Sequence, residues 1–224
     1  MKKAVAAVVL GLVPGIVLAP LIVIGGFMVM FFSDDQEHPA GAAGSITCSV
    51  NGVSVEAVDS SGRAATFNDS QLSHAAVIIQ AGNAAGVGQE GQMAALMTAL
   101  QESTLRNLAN PAVAESMSLP HDGEGIDHDS VGLLQQRPSM GWGTVRELMD
   151  PSTSASRFYE RLKTVEGWQL MSPGQAAQKV QASATPDAYQ HWEPAAKTLM
   201  AALSGVKCTS SAQGAGGPAV GATG

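Results

Sequence analysis

Glu102 is the side chain in this sequence with the clearest opportunity for chemistry. It stands in MTALQESTLRN, residues 97–107, and from Gln92 through Gln101 the chain before it carries no charge. At 100° per residue Met93, Leu96, Met97 and Leu100 stack on one side of a helix, while Ala95, Thr98, Ala99 and Glu102 lie on the other. A helix uncharged all round is a central, buried one, and the small residues beside Glu102 leave room for another helix or a ligand to approach it. Asn107 and Asn110-Pro111 predict that the helix ends within a turn of Glu102. There the negative end of the helix dipole and partial burial both disfavour the ionised carboxylate. A carboxyl group held protonated near neutral pH is what a general acid requires. A structural role competes with this one. Arg106 stands four residues on, and a Glu-to-Arg pair at that spacing is a stabilising surface contact that favours the ionised form.

A second segment, DSVGLLQQRPSMGWGT (residues 129–144), breaks the tie. It combines Gly132, where a backbone can come close to a ligand, with the paired amides of Gln135 and Gln136. Trp142 follows between two glycines, as expected of an exposed stacking surface. Amides with an aromatic plane suit the gripping of sugars, although a turn followed by a buried tryptophan would read the same way.

Together ALQES and SVGLLQQ resemble the paired motifs of the soluble lytic transglycosylase group within the lysozyme-like superfamily. Those motifs are a Glu-Ser at the end of a central helix and a Ser-x-Gly-Leu-Met-Gln segment. The chain is similar to the secreted actinobacterial branch, whose segment runs into Gln-Gln-Arg-Pro-Ser and Gly-Trp-Gly, as Gln135 to Ser139 and Gly141 to Gly143 do here. The likeness spans roughly residues 70–204. It implies a mainly α, lysozyme-like domain in which Glu102 is the catalytic acid, Ser103 its orienting neighbour, and Ser130, Gly132, Leu134, Gln135, Gln136 and Trp142 the glycan-binding segment. Leu134 replaces the usual methionine, a conservative change. The third motif, Ala-Tyr-Asn, has a partial counterpart in DAYQHW. Tyr189 could supply a hydroxyl to the acid, while Gln190 replaces the asparagine.

The resemblance implies cleavage of the β-1,4 bond between N-acetylmuramic acid and N-acetylglucosamine in peptidoglycan. One carboxyl group suffices if the sugar's own 6-hydroxyl attacks, and no cofactor is implied. A hydrolytic muramidase instead commonly uses a second carboxylate to handle water. The loop ESMSLPHDGEGIDHDS offers Glu115, Asp122, Glu124, Asp127 and Asp129, with Asp129 best placed in sequence and the others read as solvated. His121 and His128 in the same loop fit neither a His-Glu-x-x-His zinc pattern nor a calcium loop, so no metal is expected.

These groups must be positioned by a helical domain. Asp69 or Ser70 can cap a helix to about Gly86, and a second helix runs from about Gln89 to Leu105. Asp150-Pro151 opens a helix through about Thr164, and Ser172-Pro173 and Thr185-Pro186 repeat the device. Strands are expected only near Val53 to Val58. With 224 residues, 45% of them hydrophobic, the chain supports one sizeable core once its ends are removed. The net charge of −7 is modest and the 12 basic residues form no patch, so nucleic acid is not an expected partner.

Residues 4–32 form an uncharged apolar run, longer than the roughly 20 residues that a bilayer core demands. Lys2 and Lys3 precede it and Ser33-Asp34-Asp35 follows, which predicts a cytoplasmic tip at 1–3, a transmembrane anchor, and an extracytoplasmic remainder. A cleaved signal peptide is the rival, against which stand the length of the run and Pro20 after Ala19. The tether at 33–47 and the tail at 209–224 lack the apolar groups for ordered structure. Cys48 and Cys208 bound the domain, 48–208, and in an oxidising exterior their simplest use is a disulfide tying its ends, with buried thiols as the alternative. Anchor, tether and tail would also suit a non-catalytic peptidoglycan-binding or scaffold subunit of an envelope-spanning conjugation or secretion apparatus.

Overall fold

The structure, a computed structural model, describes residues 45–211 except 184 and 186, and about half of these are helical. In chain order they form β1 (Ser45–Ser49), β2 (Glu56–Val58), β3 (Ala64–Thr66), α1 (Asp69–Ala85), α2 (Gly88–Ser103), β4 (Leu108–Ala109), α3 (Ala114–Met117), β5 (Gly123–Glu124), α4 (Val145–Leu148), α5 (Pro151–Thr164), α6 (Pro173–Gln181), α7 (Glu193–Leu203) and β6 (Lys207–Ser211). Short 3-10 turns occupy Pro138–Met140, Trp168–Leu170 and Gln190–Trp192. The expected anchor at 4–32, the tether up to residue 44 and the tail beyond Ser211 lie outside the described residues, whereas residues 45–47 and 209–211, expected in the tether and the tail, pair with each other in β1 and β6. Among the described residues no helix is long and apolar enough to cross a membrane.

Polar caps decide where most helices begin. Asn68, one residue earlier than expected, caps α1: its Oδ1 accepts from the Gln71 backbone at 2.9 Å while Gln71 Oε1 accepts from the Asn68 N–H at 3.0 Å. Asp69 then sits in the first turn, where its charge complements the dipole. Asp150 caps α5 by accepting from Thr153 N at 2.8 Å, and Pro151 takes the first helical position. Ser172 and Gln175 form the equivalent reciprocal cap of α6 ahead of Pro173. The third expected start is displaced. Thr185 opens no helix; a turn and the 3-10 segment intervene, and α7 begins at Glu193 with Pro194 in its first turn.

Helix α2 is the centre of the core, packed against α1, α5, α6 and α7. Every residue from Gly91 to Leu100 is buried, so the absence of charge in this stretch follows from a helix surrounded on all sides. It stops at Ser103, two residues short of expectation. Thr104 and Leu105 both adopt left-handed backbone (φ 53° and 61°), and their N–H groups close the last turn on the carbonyls of Leu100 and Ala99. Neither is glycine, so the turn carries strain of roughly 1–2 kcal/mol per residue. Side chains of α1 hold it in place: Gln71 Nε2 donates to the Thr104 carbonyl at 2.8 Å and His74 Nδ1 lies 2.9 Å from the Leu105 carbonyl.

Three two-stranded sheets surround the helices among the described residues. β2 lies in the region expected to hold a strand and pairs antiparallel with β3, while β4 runs parallel to β5; β1 and β3 to β6 all fall outside the expected region, because their pairing partners are set by the fold and not by a local pattern. The ends of the domain meet as the antiparallel pair β1–β6, where Cys48 and Cys208 stand directly opposite each other and form a disulfide. Closing a loop of 160 residues removes denatured-state entropy equivalent to about 5 kcal/mol in the chain-entropy account.

Candidate active site

The strained turn after Ser103 fixes the end of α2 and with it the half-buried carboxyl group of Glu102. Tyr189, 2% exposed, donates its hydroxyl to Glu102 Oε1 at 2.7 Å. Burial is the largest influence on Glu102 and raises its proton affinity; the Tyr189 hydrogen bond lowers it, and the negative charge of Asp127 raises it again. The net shift is upward. Burial and the neighbouring carboxylate also push the Tyr189 phenol up, so it stays a donor. Arg106 does not pair with Glu102. The left-handed turn takes it off the helix, and its Nε donates instead to the Ser103 carbonyl at 3.2 Å. The surface ion pair that competed with the general-acid role therefore does not form.

Ser103 does not touch the acid. Its buried hydroxyl lies 3.1 Å from the Ala99 carbonyl and 2.7 Å from the Leu133 carbonyl, so it ties the helix end to the segment 130–136. That segment is largely turned inward. Gly132 has φ +80°, and a Cβ there would lie 2.0 Å from the Leu148 carbonyl oxygen. The close approach that requires glycine is thus made by the protein's own backbone. Ser130 and Leu134 are buried, with Ser130 Oγ donating to Asp127 at 3.2 Å and the Leu134 carbonyl accepting from Gln181. Gln136, also buried, exchanges two hydrogen bonds with Ser154. Gln135 is the exception. It is half-buried, turned by a positive φ of 46°, and its Oε1 lies beside Gly125 in the preceding loop.

Trp142, expected to offer an exposed face, is 9% exposed, and the Arg161 guanidinium of α5 stacks over its ring 3.8 Å from the centroid. It borders a depression with Arg157, Glu160 and Arg161 that does not include Glu102. Asp129 is also engaged elsewhere: Arg137 Nε donates to it at 2.5 Å and the Ser139 N–H at 2.8 Å, which holds its carboxyl well below the usual range. The acid whose charge acts on Glu102 is Asp127, two residues earlier. His128 between them is left-handed (φ 45°) and turns the chain, and its ring pairs with Asp127 at 2.8 Å. Asn110, buried, clasps this loop by donating to the His128 and Ser130 carbonyls at 3.1 and 3.0 Å. The loop tip is thereby held firmly while Ile126, 90% exposed, projects into solvent.

The DAYQHW segment supplies one more contact beside the acid, which sequence reasoning did not assign. Trp192 donates its indole N–H to Gln101 Oε1 at 2.9 Å, one residue before the acid. Gln190 faces away, bonding to Ser172 and Glu193. A separate cavity of about 550 Å³ is bounded by His74, Asn107, His121, Asp122, Arg146 and Asp150, but not by Glu102. Asp122 there is held by Ser70 and the Asn107 N–H, and Asp150 by its helix cap, so these carboxylates already serve the fold. Among the described residues no group of three or more His, Cys, Asp or Glu side chains could hold a metal ion.

The site is therefore defined by a buried-end carboxyl group with a phenol donor, a nearby second acid on a clasped loop, and a pinned indole. No protein-family model matches the chain, and no curated protein matches it.

Proposed function

We propose that this chain is a peptidoglycan-cleaving lytic transglycosylase of lysozyme-like fold, acting on the β-1,4 bond between N-acetylmuramic acid and N-acetylglucosamine. The observation that carries this reading is the state of Glu102: half-buried, paired with no cation among the described residues, raised in proton affinity and oriented by the Tyr189 hydroxyl. A general acid at neutral pH needs that combination. Glu102 donates its proton to the glycosidic oxygen as the bond from that oxygen to the muramyl C1 breaks. The resulting carboxylate then takes the proton of the muramyl 6-hydroxyl while that oxygen attacks C1, closing a 1,6-anhydro ring and restoring the acid. Tyr189 favours the carboxylate formed between the two steps. The apolar run at 4–32 supports a membrane-anchored, extracytoplasmic placement, and the wall itself is the partner. Local opening of the wall for an envelope-spanning apparatus is compatible with such a tethered enzyme.

Hydrolysis by a muramidase is the second reading, and one observation favours keeping it. Asp127 lies near enough for its charge to act on Glu102, so the second carboxylate such a mechanism uses is Asp127 in place of Asp129. Incubation of the protein with purified peptidoglycan, followed by mass spectrometry of the fragments, separates the two. Products ending in 1,6-anhydro sugars are expected from the wild type and none from Glu102→Gln. Reducing ends would establish the hydrolase. If wild type and variant both bind the wall and neither releases fragments, the protein is a binding or scaffold subunit and the enzymatic reading fails.

A further inference from the structure

Trp142 is covered by Arg161, whereas the half-buried Trp192 is bonded to Gln101, the residue before the acid. We propose that Trp192 is the platform on which the sugar next to the scissile bond rests, a role that builds on the glycan-cleaving reading above. Two donors from one short turn grip the end of α2. Tyr189 bonds Glu102, and three residues later the Trp192 indole bonds Gln101. Adjacent residues of the helix are thus held by two residues of one turn, which ties the indole to the residue beside the acid. The bond to Gln101 uses the only polar atom of the indole and fixes the ring in one orientation. Part of the ring packs on the core and the rest remains open, with the His191 ring 4.9 Å away and tilted by 42°.

A pyranose presents an apolar face of C–H groups and a rim of hydroxyls, and a fixed, half-open indole with amide groups at its edge matches both. Gln101 provides that edge. Its Oε1 accepts from the indole, while its amide nitrogen has no partner among the described residues and is free to donate to a sugar hydroxyl. Trp192 also packs at the start of α7, so a purely packing role is the alternative to be separated.

The test uses the full chain carrying Glu102→Gln, which halts turnover, titrated with peptide-free glycan strands. Trp142 and Trp168 are 9% and 8% exposed, so a saturable change in tryptophan emission is expected from Trp192 and is lost in Trp192→Phe. Calorimetry should give Trp192→Phe an affinity within threefold of the parent, because the plane is kept, and Trp192→Leu an affinity at least tenfold weaker. Gln101→Ala, on the exposed side of the helix, releases the ring without disturbing the core and should weaken binding several-fold even if the leucine variant folds poorly. Unchanged affinity in both Trp192→Leu and Gln101→Ala overturns the platform and leaves the glycan reading standing. Absence of binding by the parent overturns both.

Discussion

Replacing Tyr189 with phenylalanine removes the 2.7 Å hydrogen bond to Glu102 Oε1 and keeps the ring that fills the core. A hydrogen bond to an ionised group is worth roughly 1.5–3 kcal/mol, and this one favours the carboxylate over the acid because the phenol bonds a charged oxygen more strongly than the neutral carbonyl oxygen. In the proposed reaction Glu102 becomes charged as the glycosidic oxygen takes its proton, so the bond strengthens along the reaction. With about half of that stabilisation realised at the transition state, its loss raises the barrier by about 0.8–1.5 kcal/mol, a fall in kcat of roughly four- to twelvefold. Glu102 also retains its proton to higher pH once the donor is gone. The limb of the kcat–pH profile on which it deprotonates should therefore move up. Turnover of purified peptidoglycan across pH, with thermal unfolding as the control for folding, measures both effects. A limb that stays in place or moves down refutes the assignment of Tyr189 as the donor. A loss beyond a thousandfold shows that the hydroxyl takes part in the chemistry itself.

Burial raises Glu102 above its ordinary value in the folded state, so stability is lost as the pH rises from the ordinary value through the raised one. Glu102→Gln should accordingly melt higher than wild type at neutral pH, with the two curves converging below the ordinary carboxylate range, where the group is protonated folded or unfolded. Asp127→Asn removes the negative charge that raises Glu102, so the deprotonation limb should move down; if reducing-end products disappear while anhydro products persist, Asp127 is the base for water. Gly132→Ala should cost about 3 kcal/mol or more in urea unfolding, because the added Cβ meets the Leu148 carbonyl at 2.0 Å in a left-handed backbone. Replacing Cys48 and Cys208 together with serine should lower the unfolding free energy by up to about 5 kcal/mol, and a reducing agent should destabilise the wild type alone.

Boundary signals made much of the scaffold legible in advance. Asp150-Pro151 and Ser172-Pro173 start helices where a cap and a fixed φ say they should, because both devices act within four residues and need no tertiary help. The end of α2 is different in kind. Nothing local forces Thr104 and Leu105 into left-handed backbone; Gln71 and His74, some thirty residues earlier, hold the turn, and only the folded core brings them there. The same limit applies to Trp142. Glycine on both sides suggested an open ring, but Arg161 from α5 covers it, a contact that sequence order does not reveal. Trp192 stood within a segment already singled out for Tyr189. Its role was missed because the significance of the indole depends on Gln101 reaching it across 91 positions of sequence.

The two acids of the DHD stretch carry the consequence for mechanism. Distance along the chain favoured Asp129, the residue adjoining Ser130, yet the charge that acts on Glu102 is that of Asp127, across a left-handed residue at His128. Asp129 is held ionised by Arg137 and Ser139, whose donors take up both of its oxygens. Asp127 bonds His128 and Ser130, is mostly exposed, and is also held below its ordinary range, so it carries charge at neutral pH. An ionised group near a general acid keeps that acid protonated whether the 6-hydroxyl or water completes the reaction. The field of Asp127 therefore supports Glu102 under both mechanisms, and only its capacity to accept a proton from water distinguishes them. The choice between one carboxylate and two therefore rests on whether Asp127, on the loop that Asn110 clasps, can take that proton, and not on whether a second acid is present.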